Sequence, residues 1–281
     1  MSKTNLPVFR TIKAMRDQVA AWKADGLKIG LVPTMGALHA GHLSLIDELC
    51  AHGADKIIVS IFVNPTQFAA HEDLDTYPRQ EADDMAALSN TAACAVFAPS
   101  TAEMYPEGFA TSISLQGPAL GLETDERPHF FAGVALIVCK LLLQSQTDMA
   151  IFGEKDYQQL LVIRQMARDL NLPVDILGAP IIREADGLAM SSRNVYLTDE
   201  QRAIAGHLNR VMKHMATSPL SVAAAESEAT EALLEAGFTA VDYATIRDAE
   251  TLGPVTNTTK ARRVLMAARL GDVRLIDNMR A

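Results

Sequence analysis

The sequence predicts an α/β protein: a Rossmann-like, doubly wound parallel sheet followed by a smaller α+β C-terminal domain. Three observations carry this. Short β-branched runs alternate with helical stretches over most of the chain. Polar, glycine-bearing segments fall just beyond those runs, where open α/β sheets bind ligands. After about Arg183 the pattern changes to alanine-rich helices and then strand-like runs.

Taken in order, Lys28 to Val32 (KIGLV) reads as a buried strand stopped by Pro33. From His42 onward Leu43, Ile46, Leu49 and Cys50 recur at helical spacing until Gly53. Lys56 to Val63 (KIIVSIFV) is a second strand, so the three form a βαβ unit with parallel strands and a right-handed crossover. A helix over Gln80 to Ser89, a strand over Ala95 to Ala98 and a strongly apolar helix over Phe131 to Gln144 follow. Met149 to Phe152 is a strand, Tyr157 to Leu170 an amphipathic helix ended by Asn171-Leu172-Pro173, and Val174 to Leu177 another strand. Helices are expected over Asp199 to Met215 and Ser221 to Ala236, then strands over Val241 to Ile246 and Arg263 to Leu270. Gly271-Asp272 joins the last of these to Val273–Ile276 in a hairpin. The change of texture between 178 and 190 divides the chain into 1–182, the Rossmann-like domain, and 183–281, the smaller α+β domain. There is no internal repeat or low-complexity tract.

The 281 residues are about half apolar (49%) and carry a formal charge of −9. That balance argues against a nucleic-acid partner, which needs a basic face, and leaves room for a local basic pocket. Cys50, Cys94 and Cys139 are far apart among apolar neighbours and read as buried, reduced thiols of a cytoplasmic protein. The opening MSKTNLPVFR lacks the apolar core of a signal peptide. The apolar run Val134 to Leu143 contains Lys140 and is too short to cross a membrane.

Four polar segments sit at or past strand ends: Met35-Gly36-Ala37-Leu38-His39-Ala40-Gly41-His42, Asn64-Pro65-Thr66-Gln67-Phe68, Gly153-Glu154-Lys155-Asp156 and Met190-Ser191-Ser192-Arg193-Asn194. The topology brings them to one edge of the sheet. His39 and His42 share a face if they open a helix, where glycine admits a close ligand and unpaired N–H groups favour an anion. As phosphate-neutralising donors they suit a transition state at phosphorus; as capping histidines they suit any helix start. A zinc pair lacks a third His or Cys ligand, and no metal site is expected. Lys155 fits phosphate oxygens and Asp156 a ribose hydroxyl or magnesium, while the same residues fit helix capping and solvated charge. Ser191, Ser192 and Arg193 suit phosphate, and Gln67 and Gln159 suit amide hydrogen bonds to a polar substrate.

His39-Ala40-Gly41-His42 and Met190-Ser191-Ser192-Arg193 are similar to the HIGH and KMSKS signatures of the nucleotidylyltransferase superfamily. More closely, PTMGALHAGH, SIFVNPTQF, IFGEKDYQQL and DGLAMSSRNVYL in that order resemble the pantoate–β-alanine ligase (pantothenate synthetase) family. The resemblance implies ATP-dependent ligation of pantoate and β-alanine to pantothenate through a pantoyl adenylate, releasing pyrophosphate and AMP. It implies that Met35, Gly36, Ala37, Leu38, His39, Ala40, Gly41 and His42 lie along ATP, with His42 as proton donor and His39 as its phosphate-binding partner. Gly153, Glu154, Lys155, Asp156, Ile182, Met190, Ser191, Ser192 and Arg193 complete the nucleotide site, and Lys155 joins the two histidines in catalysis. Gln67 and Gln159 hold pantoate, with Gln67 also near β-alanine. ATP is then a substrate accompanied by Mg2+, and the protein a homodimer. The other functions open to such motifs are a different small-molecule nucleotidylyltransferase and a catalytically weak nucleotide-binding regulator.

One stretch departs from the family pattern Arg-Pro-Gly-His-Phe-Arg-Gly-Val. Here Arg127-Pro128-His129-Phe130-Phe131-Ala132-Gly133-Val134 has His129 for the glycine, Phe130 for the histidine and Ala132 for the second arginine, and Leu136 replaces a common threonine.

Overall fold

A computed structural model describes residues 6–69 and 74–281. The strands are β1 (Val8–Phe9), β2 (Ile29–Thr34), β3 (Lys56–Ile61), β4 (Ala95–Phe97), β5 (Met149–Gly153), β6 (Asp175–Ala179), β7 (Ala240–Asp248), β8 (Arg262–Leu270) and β9 (Val273–Arg280). The α-helices are α1 (Ile12–Ala24), α2 (Ala40–Ala51), α3 (Glu81–Leu88), α4 (Thr101–Met104), α5 (Glu123–Glu126), α6 (Phe130–Ser145), α7 (Tyr157–Asp169), α8 (Asp199–Ala205), α9 (His207–Ala216) and α10 (Val222–Glu235).

The first six strands form one parallel sheet in the order β1-β4-β3-β2-β5-β6. From the β2–β5 pair, β3 and β4 follow outward on one side and β6 on the other, with β1 added at the edge beyond β4, so a crevice opens beyond the carboxyl ends of β2 and β5. Alternation along each strand feeds two cores. Ile29 and Leu31 face one side with Met15 and Val19 of α1, Val134 and Val138 of α6 and Leu160 of α7. Val32, Ile57, Val59 and Ile151 face the other with Leu45, Ile46 and Leu49 of α2 and Leu88 of α3. Gly30 is required between these layers: a Cβ there would lie 2.8 Å from the Leu49 side chain. α6 is apolar on nearly every face because it is buried on nearly every face.

β7, β8 and β9 make a separate antiparallel sheet whose core takes Leu208, Met212 and Met215 of α9 and Ala225, Ala229 and Leu233 of α10. The β8–β9 hairpin turns at Gly271-Asp272, with Gly271 at φ +58°, as its sequence predicts. Among the described residues no helix is long and apolar enough to cross a membrane.

Several elements differ from expectation. β2 continues through Pro33 to Thr34, because β2 pairs with β5 only at Gly30 and Leu31, and Pro33 lies past that ladder, opposite Ser60 of β3. β3 ends at Ile61, two residues before Val63. The helix expected over Asp199 to Met215 breaks at Gly206, where a Cβ would meet the Asp186 carboxylate at 2.7 Å. β1 and α1 were not foreshadowed: two residues of edge strand have no readable period. Of the thiols expected to be buried, Cys139 is, Cys94 is half-buried and Cys50 is exposed on the outer side of the last turn of α2.

Candidate functional site

A cavity of about 830 Å³ occupies the crevice beyond β2 and β5. One wall is the sheet edge and α2, another the apolar side of α6 (Phe130, Phe131, Val134, Ile137, Val138, Leu141), and a third comes from β9 and the 180–196 segment. Pieces of chain from all four polar segments therefore face one space.

The two histidines are fixed by their own backbone. His39 is the N-cap of α2, in extended conformation, and its Nδ1 accepts from Gly41 N–H at 3.1 Å. The Nδ1 of His42 accepts from His39 N–H at 3.4 Å. A Cβ on Gly41 would stand 3.0 Å from the His39 ring, so glycine is what lets that ring fold back over the helix start. An imidazole accepting at Nδ1 carries its proton at Nε2 when neutral, which leaves each ring one N–H to donate. Burial first, then the neighbouring His39 and Lys155, push the His42 pKa down to about 3. His39 is lowered as well, by burial and then by Lys155, against the opposing pull of Asp156 and Glu184. Both rings are thus neutral donors at pH 7. The unpaired N–H groups foreseen at the helix start are in part claimed internally: Gly41 N–H goes to His39 Nδ1 and His42 N–H to the His39 carbonyl at 2.8 Å. Donation into the cavity falls to the imidazoles.

The turn leading to them has two left-handed residues in succession, Gly36 at φ +85° and Ala37 at φ +52°. For alanine this conformation is strained, and a buried carboxylate holds it. Asp84 of α3, 1% exposed, accepts from Ala37 N–H at 3.1 Å and Leu38 N–H at 2.8 Å. Its own pKa is raised by burial, with the two N–H groups working against that rise.

After β3 the chain makes a one-turn 3-10 helix, Pro65–Gln67, pinned by Asn64. Asn64 is 1% exposed; its amide donates to Gln67 Oε1 (3.1 Å) and Gly133 O (3.2 Å), and its carbonyl oxygen accepts from Tyr105 OH (2.8 Å) and Thr66 Oγ1 (3.0 Å). Gln67 donates to Met35 Sδ at 3.0 Å, which ties the first polar segment to the second. Gly133 of α6 lets α6 approach this turn closely, since a Cβ would lie 2.3 Å from Thr66 O. Around the altered stretch, Arg127 stacks on the Phe130 ring at 3.8 Å and donates to Gln67 O at 3.3 Å. Phe130 lines the cavity and Ala132 does not.

Past β5, the 3-10 turn Glu154–Asp156 carries Lys155 into the cavity. The C-terminal sheet packs on this turn: Arg263 pairs with Glu154 at 3.0 Å, and Asn278 Nδ2 donates to Glu154 O (2.9 Å) and Lys155 O (2.8 Å). Arg274 of β9 bonds Glu123 at 2.8 Å and Asp242 at 2.6 Å, and Tyr243 OH donates to the same Glu123 at 2.7 Å. The C-terminal sheet is thereby joined to the turn after β5 through Arg263–Glu154 and to α5 through Arg274–Glu123. Beyond β6, the chain doubles back around Asp186-Gly187: Arg183 bridges to Ala189, and Met190 N–H returns to Ile182 O at 2.9 Å. Ser191 caps the short helix Ser192–Tyr196.

Of the residues singled out from sequence, Met35, His39, Gly41, His42, Gln67, Gly153, Lys155, Asp156, Gln159, Ile182, Met190, Ser191, Ser192 and Arg193 line the cavity. Gly36, Ala37, Leu38, Ala40 and Glu154 do not; the first three shape the turn, and Glu154 is engaged by Arg263. Gln158, next to Gln159, is buried and structural, accepting from Glu123 N–H and donating to Pro118 O and Gly121 O. Sequence reasoning missed Asp84, Glu123, Arg263 and Asn278, and named Asn64 only as part of a polar segment. Each is a polar residue distant in sequence from what it holds; the nearest available signal was a carboxylate in the helix after β3.

Residues 7–280 match the family model described as Pantoate-beta-alanine ligase. Pantothenate synthetase of Mesorhizobium japonicum is 54% identical over 276 residues, covering 97% of this chain and 96% of its own length. That of Paramagnetospirillum magneticum is 54% identical over 282 residues, covering 98% of each. The crystal structure of pantothenate synthetase from Thermus thermophilus superposes with a TM-score of 0.89 at 42% identity, covering 98% of this chain and 99% of that one. A pantoate-beta-alanine ligase from Francisella tularensis, complexed with beta-gamma ATP and beta-alanine, matches with a TM-score of 0.83 at 34% identity, covering 98% and 97%.

Proposed function

The chain belongs to the pantoate–β-alanine ligase family, and we propose that it joins pantoate to β-alanine in two steps within this one cavity. In the first, a pantoate carboxylate oxygen attacks the α-phosphorus of ATP, and the bond to the departing pyrophosphate breaks. In the second, the amine of β-alanine attacks the acyl carbon of the adenylate, loses a proton, and AMP leaves.

The observation that carries this reading is the placement of two neutral Nε2–H donors beside Lys155 at the β2–β5 crevice. Charge develops on phosphate oxygens during the first step, and preorganised donors with a fixed cation stabilise it where it appears. His42 donates to the reacting phosphate, His39 supports it, and Lys155 neutralises the leaving phosphates. Met35, Gly41, Gly153, Asp156, Ile182, Met190, Ser191, Ser192 and Arg193 line the rest of the nucleotide path, with the turn Gly36 to Leu38, Ala40 and Glu154 supporting them. Gln67 and Gln159 present amides to pantoate, and Gln67 stands near the entering amine. The protein needs no covalent intermediate, because positioning and electrostatics supply the acceleration. Among the described residues no group of three or more His, Cys, Asp or Glu side chains could hold a metal ion, so we assign the magnesium ion to the phosphates it arrives with. The same reading takes 1–182 as the nucleotide- and pantoate-binding domain and 183–281 as the smaller domain, in a cytoplasmic homodimer.

The test is a coupled assay. Pyrophosphate release should require both ATP and pantoate, and AMP release should also require β-alanine. A nucleotide retained on the product would make the protein a different nucleotidylyltransferase, and no turnover with retained ATP binding would make it a regulator. Sedimentation equilibrium checks the dimer.

A further inference from the structure

Lys155 is the cavity cation whose charge acts on both histidines, yet its turn makes little of its own structure: three residues of 3-10 helix without a side-chain cap. What fixes it comes from β9. The Asn278 side chain is 2% exposed, and its Nδ2 reaches Glu154 O at 2.9 Å and Lys155 O at 2.8 Å. Those two carbonyls belong to the peptide planes on either side of the Lys155 Cα. Because each plane is rigid, holding both sets the two soft dihedrals of Lys155 and with them the direction in which its side chain leaves the backbone. The orientation of the amide is itself determined: Asn278 Oδ1 accepts from Arg263 Nε at 2.7 Å, so the NH2 group must face the carbonyls. Arg263 is held in turn by Glu154 at 3.0 Å and by stacking on Tyr157 at 3.5 Å. All the amide's hydrogen-bonding capacity toward this turn is used, in a buried place where loss of a partner is costly.

We propose, resting on the assignment of Lys155 to the phosphates, that Asn278 is a positioning residue for adenylate formation and acts through Lys155. The second step, after most phosphate charge has left, depends on it less. A purely structural asparagine would weaken the whole enzyme in proportion to its effect on packing; one that acts through Lys155 has nothing left to do once Lys155 is gone.

The experiment is a double-mutant cycle on the full chain with Lys155→Ala, Asn278→Ala and the pair, read by single-turnover pyrophosphate release from ATP and pantoate. Lys155→Ala should slow this step, and Asn278→Ala should slow it by about tenfold, the size of one lost charge-directed contact. In the Lys155→Ala background, Asn278→Ala should change the rate by less than about twofold. Reaction of supplied pantoyl adenylate with β-alanine should fall less than adenylate formation in Asn278→Ala. Asn278→Ser, which keeps a small donor, carries the same cycle if the alanine variant does not fold. Multiplying effects, or an equal fall in both steps, overturn the role of Asn278 while the assignment of Lys155 survives. A Lys155→Ala enzyme with wild-type pyrophosphate release overturns that assignment, and the inference with it.

Discussion

The imidazole rings of His39 and His42 lie 4.1 Å apart between centroids and are tilted by 34°. Each is tethered by Nδ1 to a backbone N–H of the same helix start. Burial lowers both pKa values first; His39 and Lys155 then oppose protonation of His42, and Lys155 opposes that of His39. On the proposed mechanism the two rings therefore act as neutral hydrogen-bond donors and not by release of a proton from an imidazolium.

Stability should follow from the same fact. The folded pKa of His42 is about 3 against an ordinary 6.5, so below pH 6.5 the unfolded chain binds a proton that the folded chain refuses. The contribution is full above pH 6.5 and is lost as pH falls toward 3. His39, shifted the same way, adds to the slope. Urea midpoints measured from pH 7 to pH 4 should decline, and His42→Gln should flatten that decline. An unchanged slope in the variant would show that His42 titrates normally.

Removing the ring altogether should separate chemistry from folding. His42→Ala is expected to lower single-turnover adenylate formation by about a hundredfold or more, the usual size for losing a transition-state donor. Loss of the cap on His39 N–H should destabilise by about 1 kcal/mol. Stopped-flow pyrophosphate release and thermal unfolding measure the two effects; wild-type rates would exclude His42 from the mechanism.

Asp84 holds the strained turn without lining the cavity. Asp84→Ala leaves Ala37 N–H and Leu38 N–H unpaired, and bonds to a charged acceptor are worth about 1.5–3 kcal/mol each. We expect a loss of about 3–6 kcal/mol in urea unfolding and a raised KM for ATP. A variant with the parent's stability and KM would mean that the turn holds itself.

Gly133 tests the junction between α6 and the Gln67 turn. A methyl there meets backbone at 2.3 Å, so Gly133→Ala must move the turn, with an overpacking penalty of about 1–3 kcal/mol. KM for pantoate should rise more than KM for ATP. Equal changes in both would place Gln67 outside pantoate binding.

The sequence disclosed the parts whose signal is local. Alternating runs marked the five principal parallel strands, and glycine followed by histidine marked the start of α2. Strand ends marked where Gln67, Lys155 and Ser191 would face. The rest depends on partners that local pattern does not contain. Asp84 reads as one more acid on a helix, and its 46-residue reach to Leu38 becomes visible only in the fold. Asn64 stands in a polar segment that was noticed, but its burial beneath Gly133 required α6 to be placed. The passage of β2 through Pro33 was decided by a neighbour, the short reach of β5, and the break at Gly206, beside the Asp186 carboxylate, lies where no turn signal stood out in the helical run.

The bonds from Asn278 to the turn at Lys155 span 123 residues. On the ribosome, at about 5–20 residues per second, roughly 6–25 s separate synthesis of Lys155 from that of Asn278. Throughout that interval the parallel sheet can be assembled while its lysine has no anchor. A nascent chain stalled before residue 278 would carry Lys155 on an unanchored turn, so on the proposed mechanism the first chemical step reaches its full rate only with the closing strand of the hairpin.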